Sequence, residues 1–147
     1  MKTANKILEY QTKTELEFID ITNEVKDFVK ECGIENGLVN VQSLHTTCAV
    51  ILNENEPLLI EDMKENLKKI APKNHPYKHN DFKVRTVNMC AGECANGHSH
   101  CQAIYLTPNV ILNLIGGELQ LGTWQRVFFI ELDHDRPRKV QIMIMGE

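Results

Sequence analysis

The chain of 147 residues contains no long apolar run. No stretch approaches the roughly 20 residues that cross a bilayer as a helix. The opening MKTANKILEYQTKTELEF offers nothing long enough for the apolar core of an export signal. The expected location is therefore the cytoplasm, with no membrane partner. A basic surplus is also absent: 16 Lys and Arg stand against 20 Asp and Glu, with no block of like charge. A nucleic-acid partner is not expected, because its electrostatic footprint would be basic. Paired C-x-x-C elements are missing. The five cysteines are odd in number and irregularly spaced, which suits reduced thiols, mostly buried as small apolar side chains. Cys90, Cys94 and Cys101 follow C-x3-C and C-x6-C spacings, unlike a zinc knuckle. There is no P-loop, no G-x-G-x-x-G after a strand, no G-x-S-x-G and no H-E-x-x-H. No repeat, low-complexity run or linker divides the chain, so residues 1–147 are read as one domain, long enough to bury a core without disulfides or metal.

What is present reads as an α+β protein. KILEYQTKTELEFIDIT alternates apolar and polar residues as strand, turn and strand. In DITNEVKDFVKECG the period changes: Ile21, Val25, Phe28 and Val29 share a helical face, Asp20 or Thr22 can cap, and Gly33 stops the helix. GLVNVQSLHTTCAVILNEN reads as one or two strands. EPLLIEDMKENLKKIAP is the strongest helix, with Pro57 in its first turn, lysines late and Pro72 at its end. KNHPYKHND is a loop by composition. Strands are expected around 82–88, 101–107, 118–121, 124–131 and 138–145. Together these predict mostly antiparallel sheets, forming a sandwich or partly open barrel, with two main helices packed against them.

The chemistry-bearing residues gather around histidines. ECANGHSH places His98 and His100 two apart; on a strand they would share a face and could reach one ion, and on a loop the spacing decides nothing. His79 sits in YKHND, and His45 sits in SLHTTCAV with hydroxyls on both sides. DHDRPRKV brings Arg136 and Arg138 near Asp133 and Asp135; guanidinium forks suit phosphate or carboxylate, and a turn of solvated charges is the plain alternative. Glu54 and Glu56 precede a helix and can serve it as caps. Trp124 suits a stacking wall for a heteroaromatic ring, although a core position is the more frequent use of tryptophan.

SLHTTCAVILNENEP, YKHND followed by Arg85, ECANGHSH, LGTWQ and the final acidic–basic turn occur in one order along nearly the whole chain. In that combination the sequence resembles the YjbQ family, UPF0047. The resemblance implies a small α+β fold with a sandwich-like sheet and a homotrimer. It also implies, for some members, an activity similar to thiamine-phosphate synthase, which joins hydroxymethylpyrimidine diphosphate to thiazole phosphate and releases diphosphate. Carried onto this sequence, that reaction assigns Arg85, Arg136 and Arg138 to the leaving diphosphate and His98 and His100 to a metal. His79 or His45 would complete the site, and Glu93 or Asp81 would move protons. The implied partner is a phosphorylated small molecule. The implied cofactor is a divalent metal, with zinc favoured by imidazole and magnesium possible for a diphosphate substrate. A metal-dependent hydrolase, a metal- or anion-binding trimer without turnover, and thiol chemistry at Cys94 or Cys101 stand as alternatives. One departure is local: the last motif of the family reads Asp-Gly-Pro-Arg, whereas here His134 and Asp135 occupy the middle pair.

Overall fold

A computed structural model describes all 147 residues. The element order is β1 (Lys2–Gln11), β2 (Glu17–Asp20), α1 (Thr22–Cys32), β3 (Gly37–Ser43), β4 (Cys48–Glu54), α2 (Pro57–Ile70), α3 (Gly97–Ala103), β5 (Asn109–Ile115), β6 (Glu118–Leu119), β7 (Gln125–Glu131) and β8 (Pro137–Gly146). The strands form two antiparallel sheets. One has the order β1-β8-β3-β5-β6 and the other β2-β7-β4. The expected α+β class, antiparallel sheets and two main helices are all present.

Alternation along the strands builds two apolar layers. Val39, Val41, Leu112, Leu114, Val140, Ile142 and Ile144 of the larger sheet meet Cys48, Val50, Val127 and Phe129 of the smaller one. Val25, Phe28 and Val29 of α1 join that layer. The far face of the smaller sheet carries Ala49, Phe128 and Ile130, which pack with Leu132 and with Leu67 of α2. Strand β7 is thus covered on both faces, and its last five residues are all buried. Such a strand reads as a continuous apolar run, which is what RVFFIE gives up to its final acid.

The caps behave as their chemistry requires. Asp20 Oδ1 accepts the backbone N–H of Thr22 at 3.0 Å and its hydroxyl at 2.6 Å. Gly33 closes α1 in the left-handed region, at φ 64°, where a glycine carries no Cβ penalty. The Glu56 carboxylate accepts the N–H groups of Leu58 and Leu59 at the start of α2.

Two expectations change. Residues 82–88 are turns and bends rather than a strand, and Phe82, Val84 and Val87 are exposed. The expected strand at 101–107 is the end of a third helix followed by a loop, and the strand begins only at Asn109. Short apolar runs such as QAIYL do not distinguish helix from strand by period. The close of the β7–β8 connection carries a buried ion pair. Arg138 Nε reaches Glu131 Oε2 at 2.5 Å, and its Nη2 reaches Oε1 at 2.7 Å. Both side chains are almost wholly buried. Thr12 donates its hydroxyl to Glu131 Oε2, and Arg138 Nη2 also donates to Thr47 Oγ1. The pair joins β7 of one sheet to β8 of the other.

Removing one member strands a buried charge. Arg138→Ala is expected to lower unfolding free energy by about 3–5 kcal/mol, and Glu131→Leu with Arg138→Met by clearly less than Arg138→Ala alone. Urea denaturation of the two variants checks this; equal losses would remove the assignment of the pair as a structural bridge.

Candidate functional site

The connections at one end of the smaller sheet surround a polar pocket. His45, Thr46, Thr47, His79, Arg85, Glu93, Asn96, His100, Arg136 and Arg138 are among its lining. His45 lies in the β3–β4 turn, His79 in a 3-10 turn at Lys78–Asn80, and His100 on α3. Gly97 sets the approach of the last two. A Cβ there would come within 2.6 Å of Tyr77 Cβ and 3.1 Å of Asn80 Oδ1. The same Asn80 oxygen accepts the Gly97 N–H at 2.9 Å. The 3-10 turn therefore seats directly on the start of α3, and the rings of His79 and His100 meet edge to face at 4.7 Å.

The histidines are not equivalent. His45 Nε2 accepts the backbone N–H of Lys139 at 2.9 Å. Its neutral ring therefore carries the proton on Nδ1, and His45 presents the pocket with a donor rather than a base. Burial, then the positive charge of Arg138, depress its pKa. Burial and the neighbouring His79 likewise depress that of His100. His79 Nε2 is buried with no hydrogen-bond partner.

His98 lies elsewhere. ECANGHSH is helical from Gly97, and residues two apart on a helix diverge by about 200°. The shared face that a strand would have given is absent. The buried His98 ring instead meets Glu15 Oε1 at 3.1 Å and Ser99 Oγ at 3.2 Å. It borders a second depression with Glu15, Lys73, Cys94, Ala95, Asp133 and His134.

The charged groups are largely engaged. Glu93 accepts the Cys90 N–H and the Arg85 guanidinium, and these hold its carboxyl below its ordinary value. Asp81 Oδ1 accepts the Lys83 N–H and steadies its own turn, outside the pocket lining. Arg138 donates from Nε and Nη2 to Glu131 and from Nη2 to Thr47, and it also lines the pocket. Arg136 Nη2 lies 3.2 Å from Asp133 Oδ2 and 3.3 Å from Cys94 Sγ. Burial alone would raise the pKa of Asp133; hydrogen bonds from Asn96 and His134 and the charge of Arg136 hold it low. Glu131 escaped the sequence reading, although an acid ending the apolar run VFFIE was the available signal. Trp124 is exposed and lines a different depression with Asp20, Glu54, Asn55 and Arg126. Seven residues of β4 separate that cleft from the histidines, about 20 Å of extended chain.

The depressed imidazoles make stability pH-dependent. In the fold His45 and His100 resist protonation, whereas the unfolded chain protonates them near pH 6.5. The unfolded state then binds more protons, so stability is full above pH 6.5 and falls as pH drops through that value. Urea midpoints between about pH 5 and 8 should show this slope, reduced in His100→Gln; a slope unchanged by that substitution would exclude His100 as its source.

Comparison with known proteins agrees with this architecture. Residues 6–147 match the family model described as UPF0047 protein YjbQ-like. A UPF0047 protein of Methanothermobacter thermautotrophicus is 34% identical over 147 residues, covering 100% of this chain and 95% of its own. A solved structure of a YbjQ-like protein of unknown function from Sulfolobus solfataricus superposes with a TM-score of 0.89 at 31% identity, covering 99% of both chains. An uncharacterised YjbQ/UPF0047 family protein from Clostridium acetobutylicum gives 0.83 at 35% identity, covering 95% of this chain and 99% of its own. By sequence over nearly its whole length and by fold, the chain belongs to the UPF0047 YjbQ-like family.

Proposed function

We propose that the protein binds a phosphorylated small molecule in the His45–His79–His100 pocket, with a zinc-type ion held by His79 and His100. The observation that carries this reading is His79 Nε2, buried and unpartnered beside a second imidazole that burial keeps neutral. A neutral imidazole offers a lone pair to a metal, and two imidazoles suit zinc better than magnesium, which prefers oxygen ligands. His79, His100 and a third His, Cys, Asp or Glu atom do not form a set within 4.8 Å of one another, so water or substrate oxygen would complete the ion's shell. Such an ion supplies Lewis-acid stabilisation of charge on a phosphoryl oxygen. His45 and Arg136 line the same pocket and could meet that charge.

Among phosphorylated substrates, the condensation of hydroxymethylpyrimidine diphosphate with thiazole phosphate is the specific reaction that the family resemblance suggests. A second reading is binding of a metal or anion without turnover. It is favoured by the pairing of Glu93 with Arg85 and by the place of Asp81 outside the pocket lining. Calorimetric titration with inorganic pyrophosphate in the presence of zinc separates the pocket from the chemistry. Binding is expected to weaken at least about tenfold in His79→Ala with His100→Ala. Unchanged affinity in that variant would sink the proposed site. Diphosphate release from the two thiamine precursors then decides between transferase and binding protein.

We propose in addition a homotrimer. The outer face of the larger sheet lacks charge over three adjacent cross-strand rows. Ile7, Gln141 and Gln42 form one row; Asn5, Met143, Asn40 and Ile111 the next; Met145, Leu38 and Asn113 the third. Glu9 and Lys139 pair at its margin. Depletion of charge with Met and Ile present is the composition of an interface centre. Light scattering is expected to give three times the chain mass, and Asn40→Lys with Met143→Lys to reduce it; a monomer in the parent protein would remove this proposal.

A further inference from the structure

A second cluster of ligand atoms lies beside the pocket and has no part in the reading above. Cys94 Sγ, a carboxylate oxygen of Asp133 and a ring nitrogen of His134 lie within 4.8 Å of one another, the one such set of three in the molecule. The Cys94 Sγ to His134 Nδ1 distance is 3.4 Å, and His134 Nδ1 to Asp133 Oδ1 is 2.9 Å. Around a tetrahedral zinc with bonds of about 2.3 Å to sulfur and about 2.0 Å to nitrogen and oxygen, ligand atoms stand about 3.3–3.6 Å apart. Both of these separations are within a few tenths of an ångström of that spacing, and the sulfur lies within 4.8 Å of the carboxylate. It opens on the depression that Glu15, Lys73 and His98 also line, so a fourth ligand can enter from solvent.

These groups already converge on a cation. His134 Nδ1 donates to the Asp133 carboxylate at 2.9 Å, and its Nε2 accepts from Arg136 Nη2 at 2.7 Å. A metal cation in the place of the guanidinium would meet a ring nitrogen, a carboxylate and a thiolate together. Arg136 Nη2 currently holds that position, close to Cys94 Sγ, Asp133 Oδ2 and both nitrogens of His134. Its side chain is one-third exposed and also lines the histidine pocket, so it has somewhere to go.

We propose that Cys94 Sγ, Asp133 Oδ1 and His134 Nδ1 form a site for a thiophilic divalent cation of the zinc type, loaded when the Arg136 guanidinium swings out into the neighbouring pocket. On loading, the Cys94 thiol gives its proton to solvent and binds as thiolate, the neutral His134 ring exchanges its Nδ1 proton for one on Nε2 through solvent, and no redox change occurs. The site shares no ligand with the His79–His100 pair and is independent of metal there.

Cobalt(II) is the probe. Titrated into the reduced full-length protein, it should bind with a thiolate-to-cobalt charge-transfer band. That band should vanish in Cys94→Ser, persist in Cys90→Ser and persist in His79→Ala with His100→Ala. Affinity should fall at least about tenfold in His134→Gly and rise in Arg136→Ala, which removes the competing cation. In the unmodified protein, zinc should protect Cys94 from alkylation, read by peptide mass spectrometry, which needs no variant to fold. Absence of the band and of Cys94 protection overturns the proposal. So does a band that survives in Cys94→Ser or depends on His79 and His100.

Discussion

The buried carboxylate of Glu131 is the point on which the working end of the molecule depends. It accepts two hydrogen bonds from Arg138, one from the Thr12 hydroxyl and one from the backbone of Asp133. Those partners lie at the end of β1, the start of β8 and the turn between β7 and β8, while Arg138 extends the network to Thr47 before β4. Burying such an ion pair costs desolvation that its mutual attraction offsets only when the lone pairs and protons are met. Here they are met by chain segments that otherwise have no reason to converge. The return is geometric. Once Glu131 is satisfied, the directions of Asp133 and Arg136 and the position of the His45 turn are set together.

Much of the scaffold could be read from local chemistry. The helix starts and stops followed from Asp20, Gly33, Glu56, Pro57 and Pro72, because capping and ring constraints act over a few residues. Long alternating strands were legible for the same reason. Helix α3 was not. Its seven residues, GHSHCQA, bury Gly97, His98, Ser99 and Gln102, so no apolar stripe marks the period. What fixes it is contact with Tyr77 and Asn80, twenty and seventeen residues away in sequence, which no short window contains. The apparent strand at 82–88 failed in the opposite sense: it alternates, but no neighbouring strand pairs with it.

The site shows the same division. Which residue types collect around a pocket was legible in the motifs. What each does was not, because roles are settled by pairing. Arg138 reads as an anion fork and is consumed by a glutamate seven residues earlier. His98 reads as the twin of His100 and is turned to the opposite side of a helix. His134 reads as a local departure and Cys94 as one thiol among five, and they lie against one another only because the β7–β8 turn meets the loop before α3. The motifs around Asn53–Glu56 and Trp124 share strands with the histidine site and sit at their far ends, so a single chain carries two separate clefts.

The histidine pocket has walls of unequal firmness. His45, Thr47 and Arg138 stand on or beside paired strands. His79, Arg85 and Glu93 stand on residues 72–96, a stretch largely exposed and held by short-range turns rather than by a sheet. Segments with few buried apolar contacts open at lower free energy than the core. A guest in the pocket must therefore draw that wall into one arrangement, and the entropy lost in doing so is subtracted from whatever its contacts supply. Measured affinity then reports the order of the wall together with the chemistry of the guest. A group that pre-forms the 72–96 segment would tighten binding without touching the guest at all.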